Sequence, residues 1–419
     1  MQNTVSTLFS LAATTLLTTT LALPVGAADS PTFMVIDGHN DLPWQYHERF
    51  GNRLAPLDVA ERQEDMEPPL HTDIPRLREG GVGAQFWSVY IPIESYGGAA
   101  GDAARVLQQM DVVRRLVERY PDDLALAMTA ADIRSAAAEG KIGSLMGIEG
   151  GHAIENSLGT LRSLYAAGAR YMTLTHSKGL AWADSATDAP RHDGLTAFGE
   201  SVVKEMNRLG MLVDLSHVTE ATMHDALDTV TAPVIFSHSS ARGLNDHPRN
   251  VPDSVLKRLP KNGGVVMVTF VPGYISQDRR DWDLARAGEK ARLEAMYPYD
   301  EAVQEAGLAK WEASHTRPEA TLAQVADHID HIRKLAGIEH IGLGGDFDGI
   351  SAVVEGLEDV STYPALFAEL KRRGYSDSDC EAIGGENVLR VLKANEEEAQ
   401  RLQKKRLAED PPADAIGAE

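Results

Sequence analysis

A single cysteine, Cys380, stands in the whole chain, and one thiol cannot close an intramolecular disulfide. It lies in SDSDCEAIGGENVLRVL, a helical pattern with nothing beside it to activate a nucleophile, and reads as a small core or helix residue. Basic charge is also short. The 40 Lys and Arg face 62 Asp and Glu, a formal net charge of -22. That field repels phosphate backbones and anionic lipid, so no nucleic-acid partner is expected. The Gly-rich GGDFDG lacks the Lys and Ser/Thr of a phosphate loop, so no nucleotide is expected either. After the first segment no apolar run is long enough to span a membrane. No short repeat and no Pro/Gly/Ser-rich linker divides the rest.

The first segment differs from the rest. LFSLAATTLLTTTLALPVGA is apolar and Thr-rich, and Val25-Gly26-Ala27 offers small residues for a signal peptidase, although no Lys or Arg precedes it. The expectation is a signal peptide over residues 1–27 and an exported chain, periplasmic or secreted. The remaining residues 28–419 then form one domain. With 43% hydrophobic and 24% charged residues in 419, a sizeable globular core is expected.

Short apolar runs alternate with longer amphipathic ones. The runs are FMVIDGH, VGAQFWSVY, IGSLMGIEG, ARYMTLTH, MLVDLSH, APVIFSH, GGVVMVTF and HIGLGGDFD. Between most of them lie helical patterns such as TLAQVADHIDHIRKLAG, where Leu322, Val325, Ile329 and Ile332 recur three or four apart. Near-continuous apolar strands separated by helices imply a parallel sheet covered on both faces. Eight of them match an α/β fold of the (β/α)8 TIM-barrel type. Residues 277–318 are charged, helical and too long for an ordinary loop. They read as a helical insertion after the seventh strand, near the active-site face. C-terminal helices finish the outer layer.

The polar residues that close these runs carry the chemistry. The first run ends in His39 and Asp41, the third in Glu149, the fourth in His176, the fifth in His217, the sixth in His238, and the eighth in Asp346 and Asp348. A lone histidine at a strand end is ordinarily structural. Four of the 14 histidines at four strand ends, with carboxylates beside them, are not. In a barrel these ends converge on one face. Imidazoles and carboxylates together suit zinc and similar divalent ions. Five candidate ligands, His39, Asp41, Glu149, His217 and His238, are too many for one catalytic zinc, and suit two ions about 3.5–4 Å apart. Glu149 is the natural bridge, and such a pair supplies a bridging hydroxide near neutral pH. Asp346 is left to transfer a proton to the leaving group. The chemistry expected is hydrolysis.

At these residues the chain resembles the membrane (renal) dipeptidase family of zinc metallopeptidases, in the amidohydrolase superfamily. The shared stretches are DGHNDLP, the EGG of GIEGG, LTH followed by WAD, VDLSHV, FSHSSA, RNVPD and GGDFDG, with LEDVSTYP and GGENVLRV beyond them. The resemblance implies two zinc ions, with manganese or cobalt as substitutes. His39 and Asp41 would hold one, His217 and His238 the other, and Glu149 would bridge. It implies that His176 contacts the substrate's peptide carbonyl and stabilises the oxyanion. Arg249 would pair with the free C-terminal carboxylate of a dipeptide, and Asp346 would be the catalytic aspartate near the scissile nitrogen. Unlike mammalian members, the chain lacks the cysteines for a covalent dimer, leaving a non-covalent homodimer as the expected assembly. It also lacks a lipid-anchor tail.

Other hydrolases of the superfamily, acting on N-acyl-amino acids or β-lactams, remain the enzyme alternative. A non-catalytic periplasmic binding protein would have lost ligands, and every expected position is filled. Elsewhere, His152 reads as a supporting residue or a helix start, and His328 and His331 as a solvated helix face. His47, His71, His192, His224, His247, His315 and His340 have no partners at metal-ligand spacing. Trp182-Ala183-Asp184 is either pocket wall or packed corner.

Overall fold

Nine short strands, all paired in parallel, make up the sheet of the computed structural model, which describes residues 34–94 and 97–408. The expected leader, residues 1–27, lies outside the described residues. The strands are β1 (Val35–Asn40), β2 (Val82–Tyr90), β3 (Leu124–Leu126), β4 (Ile142–Glu149), β5 (Ala169–Thr173), β6 (Leu212–Asp214), β7 (Ile235–Phe236), β8 (Val265–Val268) and β9 (Ile341–Leu343). Because β1 pairs with both β2 and β9, and β2 also pairs with β4, eight of them close into a barrel. The (β/α)8 expectation holds. The extra strand, β3, pairs only with the first three residues of β4, below the point where β5 joins the same edge.

Strand side chains alternate between two cores, as the pleat requires. Ile36, Phe86, Leu145, Tyr171, Leu212 and Met267 fill the barrel interior. Their neighbours Val35, Trp87, Met146, Met172 and Val213 pack outward under the helices. The helix Asn387–Gln403 sends Val388, Leu389, Val391 and Leu392 into the interior cluster, alongside residues from the strand starts. It therefore plugs the barrel end opposite the site, rather than only completing the outer layer. Cys380 is buried, as expected.

The helix Leu322–Ala336 starts with a capping box, Thr321 with Gln324, and buries Val325, Ile329 and Ile332 as their spacing predicts. The expectation of a solvated His328 and His331 is wrong. His328 lies one turn from Val325 on the buried face, where its Nδ1 accepts from the Ala241 N–H (3.0 Å) and its Nε2–H donates to the Ile275 carbonyl (3.0 Å). His331 meets the Asp253 carboxylate at 2.8 Å. Trp182 is fully buried against Phe198, and Asp184 caps the backbone of residues 191–194, so that loop is a packed corner.

The 277–318 segment forms a hairpin of two helices, Gln277–Met296 and Glu301–Ser314. Trp282 against Trp311 and an Arg286–Glu312 ion pair hold them together. Among the described residues no helix is long and apolar enough to cross a membrane.

Candidate metal centre and active site

The strand ends share one rim, and there the polar residues meet. His39 is the fifth residue of β1, Asp41 comes just after that strand, and Glu149 ends β4. His176, His217, His238 and Asp346 stand in the loops just after β5, β6, β7 and β9. His217 and Asp346 have left-handed backbones, φ 69° and 64°. That conformation disfavours residues other than glycine by on the order of 1 kcal/mol and clusters at functional sites.

Glu149 is the centre. Its Oε1 lies 3.1 Å from His217 Nε2, 3.5 Å from His39 Nε2, 3.5 Å from His238 Nε2 and 3.6 Å from His176 Nε2. Asp41 Oδ2 is 3.3 Å and Asp346 Oδ1 3.9 Å from His39 Nε2. The Nε2 atoms of His217 and His238 face each other at 2.9 Å. The five expected ligands, with His176 and Asp346, thus form one cluster, divisible into overlapping triads with ligand atoms within 4.8 Å of one another. Among the described residues, the buried His39 Nε2 has no hydrogen-bond partner. A fully buried nitrogen lone pair amid carboxylates and other imidazoles is what a divalent cation would satisfy. The donor set fits metal.

A surrounding layer sets which ring nitrogen is free. His39 Nδ1–H donates to the Tyr171 hydroxyl (2.8 Å), which itself donates to the Gly38 carbonyl (3.2 Å). His238 Nδ1–H donates to Ser237 Oγ (2.8 Å), whose hydroxyl donates to Asp214 Oδ2 (2.6 Å). Both networks put the proton on Nδ1 and turn the Nε2 lone pair to the cluster. Tyr171 reaches His39 across the barrel because residue 147 is glycine, where a Cβ would stand 1.9 Å from its ring. Ser88 donates to Glu149 Oε2 (3.2 Å).

The electrostatics arise from burial and neighbours. Burial first, then Arg249 and the adjacent imidazoles, hold His217 and His238 well below the usual histidine range, leaving them neutral. Burial pulls His39 the same way, but Tyr171, Glu149 and Asp41 outweigh it and hold it well above, so a cation binding at Nε2 would displace a proton from that atom. Burial pushes Glu149 up, yet His39 and His176 and the hydrogen bonds of His217 and His39 keep it well below its ordinary value. Burial raises Asp346 well above the carboxylate range, with Asp41 and Glu149 adding to it and His39 and Arg249 opposing.

Arg249 enters from the loop after β7. It is 1% exposed; Nη1 donates to Ser239 Oγ (3.3 Å), Nη2 to the His238 carbonyl (3.2 Å), and Nε has no partner among the described residues. Cluster and guanidinium share one cavity of about 830 Å³, walled also by Trp44, Tyr90 and Tyr274. Asp348 borders the cavity but turns its carboxylate to the His71 N–H (2.7 Å), so it is a loop latch outside the cluster. His152 is buried in the turn Gly151–Ile154, tied to the Ile91 carbonyl, and burial pulls it down to about 4. Sequence reasoning missed Tyr171, Ser237, Asp214 and the aromatic walls. The one available signal was a charged residue, Asp214, inside an apolar strand.

A family model described as membrane dipeptidase (peptidase family M19) matches residues 30–406. An uncharacterized dipeptidase of Schizosaccharomyces pombe is 43% identical over 377 residues, 87% of this chain and 81% of that protein. Among solved structures, the probable dipeptidase PvdM of Pseudomonas aeruginosa has a TM-score of 0.74 at 23% identity, over 88% of this chain and 96% of that one. A Rhodobacter sphaeroides metallopeptidase, liganded with a phosphinate mimic of the dipeptide L-Ala-D-Ala, has 0.69 at 24%, over 87% and 99%.

Proposed function

Because the chain belongs to the membrane dipeptidase family, peptidase family M19, and so is a dipeptidase-type metallopeptidase, we propose that it hydrolyses dipeptides with a free C-terminal carboxylate at a two-metal centre. The observation that carries this reading is the ligand cluster and the buried, part-satisfied Arg249 in one cavity. The dipeptide mimic held by the Rhodobacter sphaeroides structure supports a substrate of that size.

His39 and Asp41 would hold one ion and His217 and His238 the other, with Glu149 between them. When bound, the ions, zinc or in its place manganese or cobalt, supply Lewis acidity and hydroxide near neutral pH. Arg249 binds the substrate carboxylate through its planar fork and fixes the peptide in the cavity. His176, which burial holds below the usual histidine range, donates a hydrogen bond to the carbonyl oxygen as negative charge develops there. Asp346, facing the cluster from the β9 loop, delivers a proton to the scissile nitrogen as it leaves.

The test compares a free dipeptide with its C-terminal amide, in wild type and Arg249→Ala. Removing a charge-assisted ion pair from a buried site should separate the two substrates by roughly 30- to 5,000-fold in kcat/KM. Wild type should favour the free acid, and the variant should lose the preference while keeping its metals. Equal cleavage of acid and amide by wild type would favour a broader amide hydrolase.

A further inference from the structure

A second cavity of about 560 Å³ adjoins the first, sharing Val271, Tyr274, Gly349, Ile350 and Ser351 as a common wall. Its far side is the first turns of the helix Gln277–Met296, which contribute Arg279, Arg280, Asp283 and Leu284. Arg249 lines the first cavity, and its backbone is tied to the wall of the second. Its backbone N–H donates to His247 Nδ1 in the second cavity's wall (3.2 Å), while its guanidinium lies in the first, 5.5 Å from the Tyr274 ring centre. A residue whose carboxylate rests on Arg249 therefore stands beside the shared wall.

Charge distinguishes this second cavity. Arg279 pairs with two carboxylates, Asp283 (3.0 Å) and Glu319 (3.5 Å), although its buried Nη1 has no hydrogen-bond partner among the described residues. Arg280 is matched less well: its side chain is 18% exposed, its buried Nε has no partner among the described residues, and the carboxylate it pairs with, Asp246, is 3.6 Å away and 85% exposed. The helix's first turn sets two arginines against one acid, Asp278, although the helix dipole favours acids there. Burial, then Arg249, Arg280 and Arg242, push the His247 imidazole down to about 3, a sign of the positive field at this wall. In a chain of net charge -22 such a spot is unusual.

We propose that the second cavity receives the side chain of the substrate's C-terminal residue, and that Arg280 selects a carboxylate there, making dipeptides ending in glutamate or aspartate preferred substrates. This rests on the dipeptidase reading above. The hairpin over residues 277–314 is then a specificity element, since it supplies the selecting cation.

The experiment measures kcat/KM of the metal-loaded full chain for Ala-Glu and for the neutral isostere Ala-Gln, each with L and D C-terminal residues. Wild type should prefer Ala-Glu by roughly 10- to 100-fold, the range of a charge-assisted hydrogen bond. Arg280→Gln should bring that ratio close to one, and Arg280→Lys should restore part of it. A wild-type ratio near one overturns the inference while leaving the dipeptidase reading intact, as does a ratio that survives Arg280→Gln. If neither dipeptide is cleaved, the dipeptidase reading fails and this inference falls with it.

Discussion

Asp214→Asn tests whether a residue that touches no substrate sets the metal affinity. Asp214 Oδ1 accepts the backbone N–H groups of Ser216 (3.1 Å) and Ser237 (2.8 Å), and Oδ2 accepts the hydroxyls of Thr173 (2.6 Å) and Ser237 (2.6 Å). An asparagine can keep both backbone bonds through its oxygen. Its amide nitrogen must then donate to the two hydroxyls, reversing both bonds. The Ser237 hydroxyl, no longer donating to residue 214, turns its proton to His238 Nδ1 (2.8 Å). That moves the imidazole proton to Nε2, the atom facing Glu149 and His217, and an N–H cannot ligate a metal.

Losing such an outer partner lowers metal affinity or activity by about 10- to 100-fold, or ~1.4–2.7 kcal/mol. The assay is competition with a chelator on metal-stripped full-length protein, then kcat/KM at saturating metal. Asp214→Asn should bind metal 10- to 100-fold more weakly, with activity partly rescued by excess metal. Thr173→Val removes another hydroxyl from the same oxygen without touching the path to His238, and should leave affinity near wild type. If Asp214→Asn binds metal as tightly as wild type, the proton-placement argument is wrong.

Two further perturbations probe the centre and the scaffold. Glu149→Gln should reduce metal content and remove nearly all hydrolysis with the circular dichroism unchanged, because Glu149 Oε1 alone lies within 3.6 Å of all four imidazoles; two metals per chain with near-normal turnover would end the bridging assignment. His328 is held by burial at about 4, against an ordinary 6.5. Between those values the unfolded chain binds the extra proton, so stability falls as pH drops below about 6.5, by up to about 3 kcal/mol near pH 4. His328→Gln should flatten that part of the urea-midpoint profile relative to wild type, and parallel profiles would refute the assignment.

The barrel was legible because all eight of its strands lie in apolar runs bounded by polar residues, and β1, β4 and β8 are buried throughout. The β3 strand was not. Three residues, Leu124–Leu126, carry no usable period, and only pairing to β4 makes them a strand. His328 was misjudged because helical phase places it with Val325 and Ile332, while its polarity suggested the opposite face. Tertiary partners at the Ala241 N–H and Ile275 carbonyl make its burial tolerable, and both are distant in sequence. The clustering of the candidate ligands was legible by contrast, because strand ends in a barrel share a rim whatever the loops do.

The accuracy of that rim comes from two carboxylates deeper in the strands. Asp37 in VIDGH and Asp214 in LVDLSH are fully buried, each within an apolar run and each preceding a candidate ligand. A buried carboxylate is unfavourable unless its lone pairs are filled. Asp214 fills them with donors from β5 and from the loops after β6 and β7, joining Thr173, Ser216 and Ser237. Asp37 does so with the N–H groups of His39 and Gly345 and the Tyr363 hydroxyl, joining β1 to the β9 loop that carries Asp346. Burial pushes Asp37 up to about 6 even so. Each carboxylate ties neighbouring ligand-bearing segments through backbone donors, so a shift of one segment would strand a charge in the core. That penalty is steep over fractions of an ångström, whereas apolar packing alone tolerates small slides. The geometry of the rim cluster is thereby held by polar groups a few residues below it.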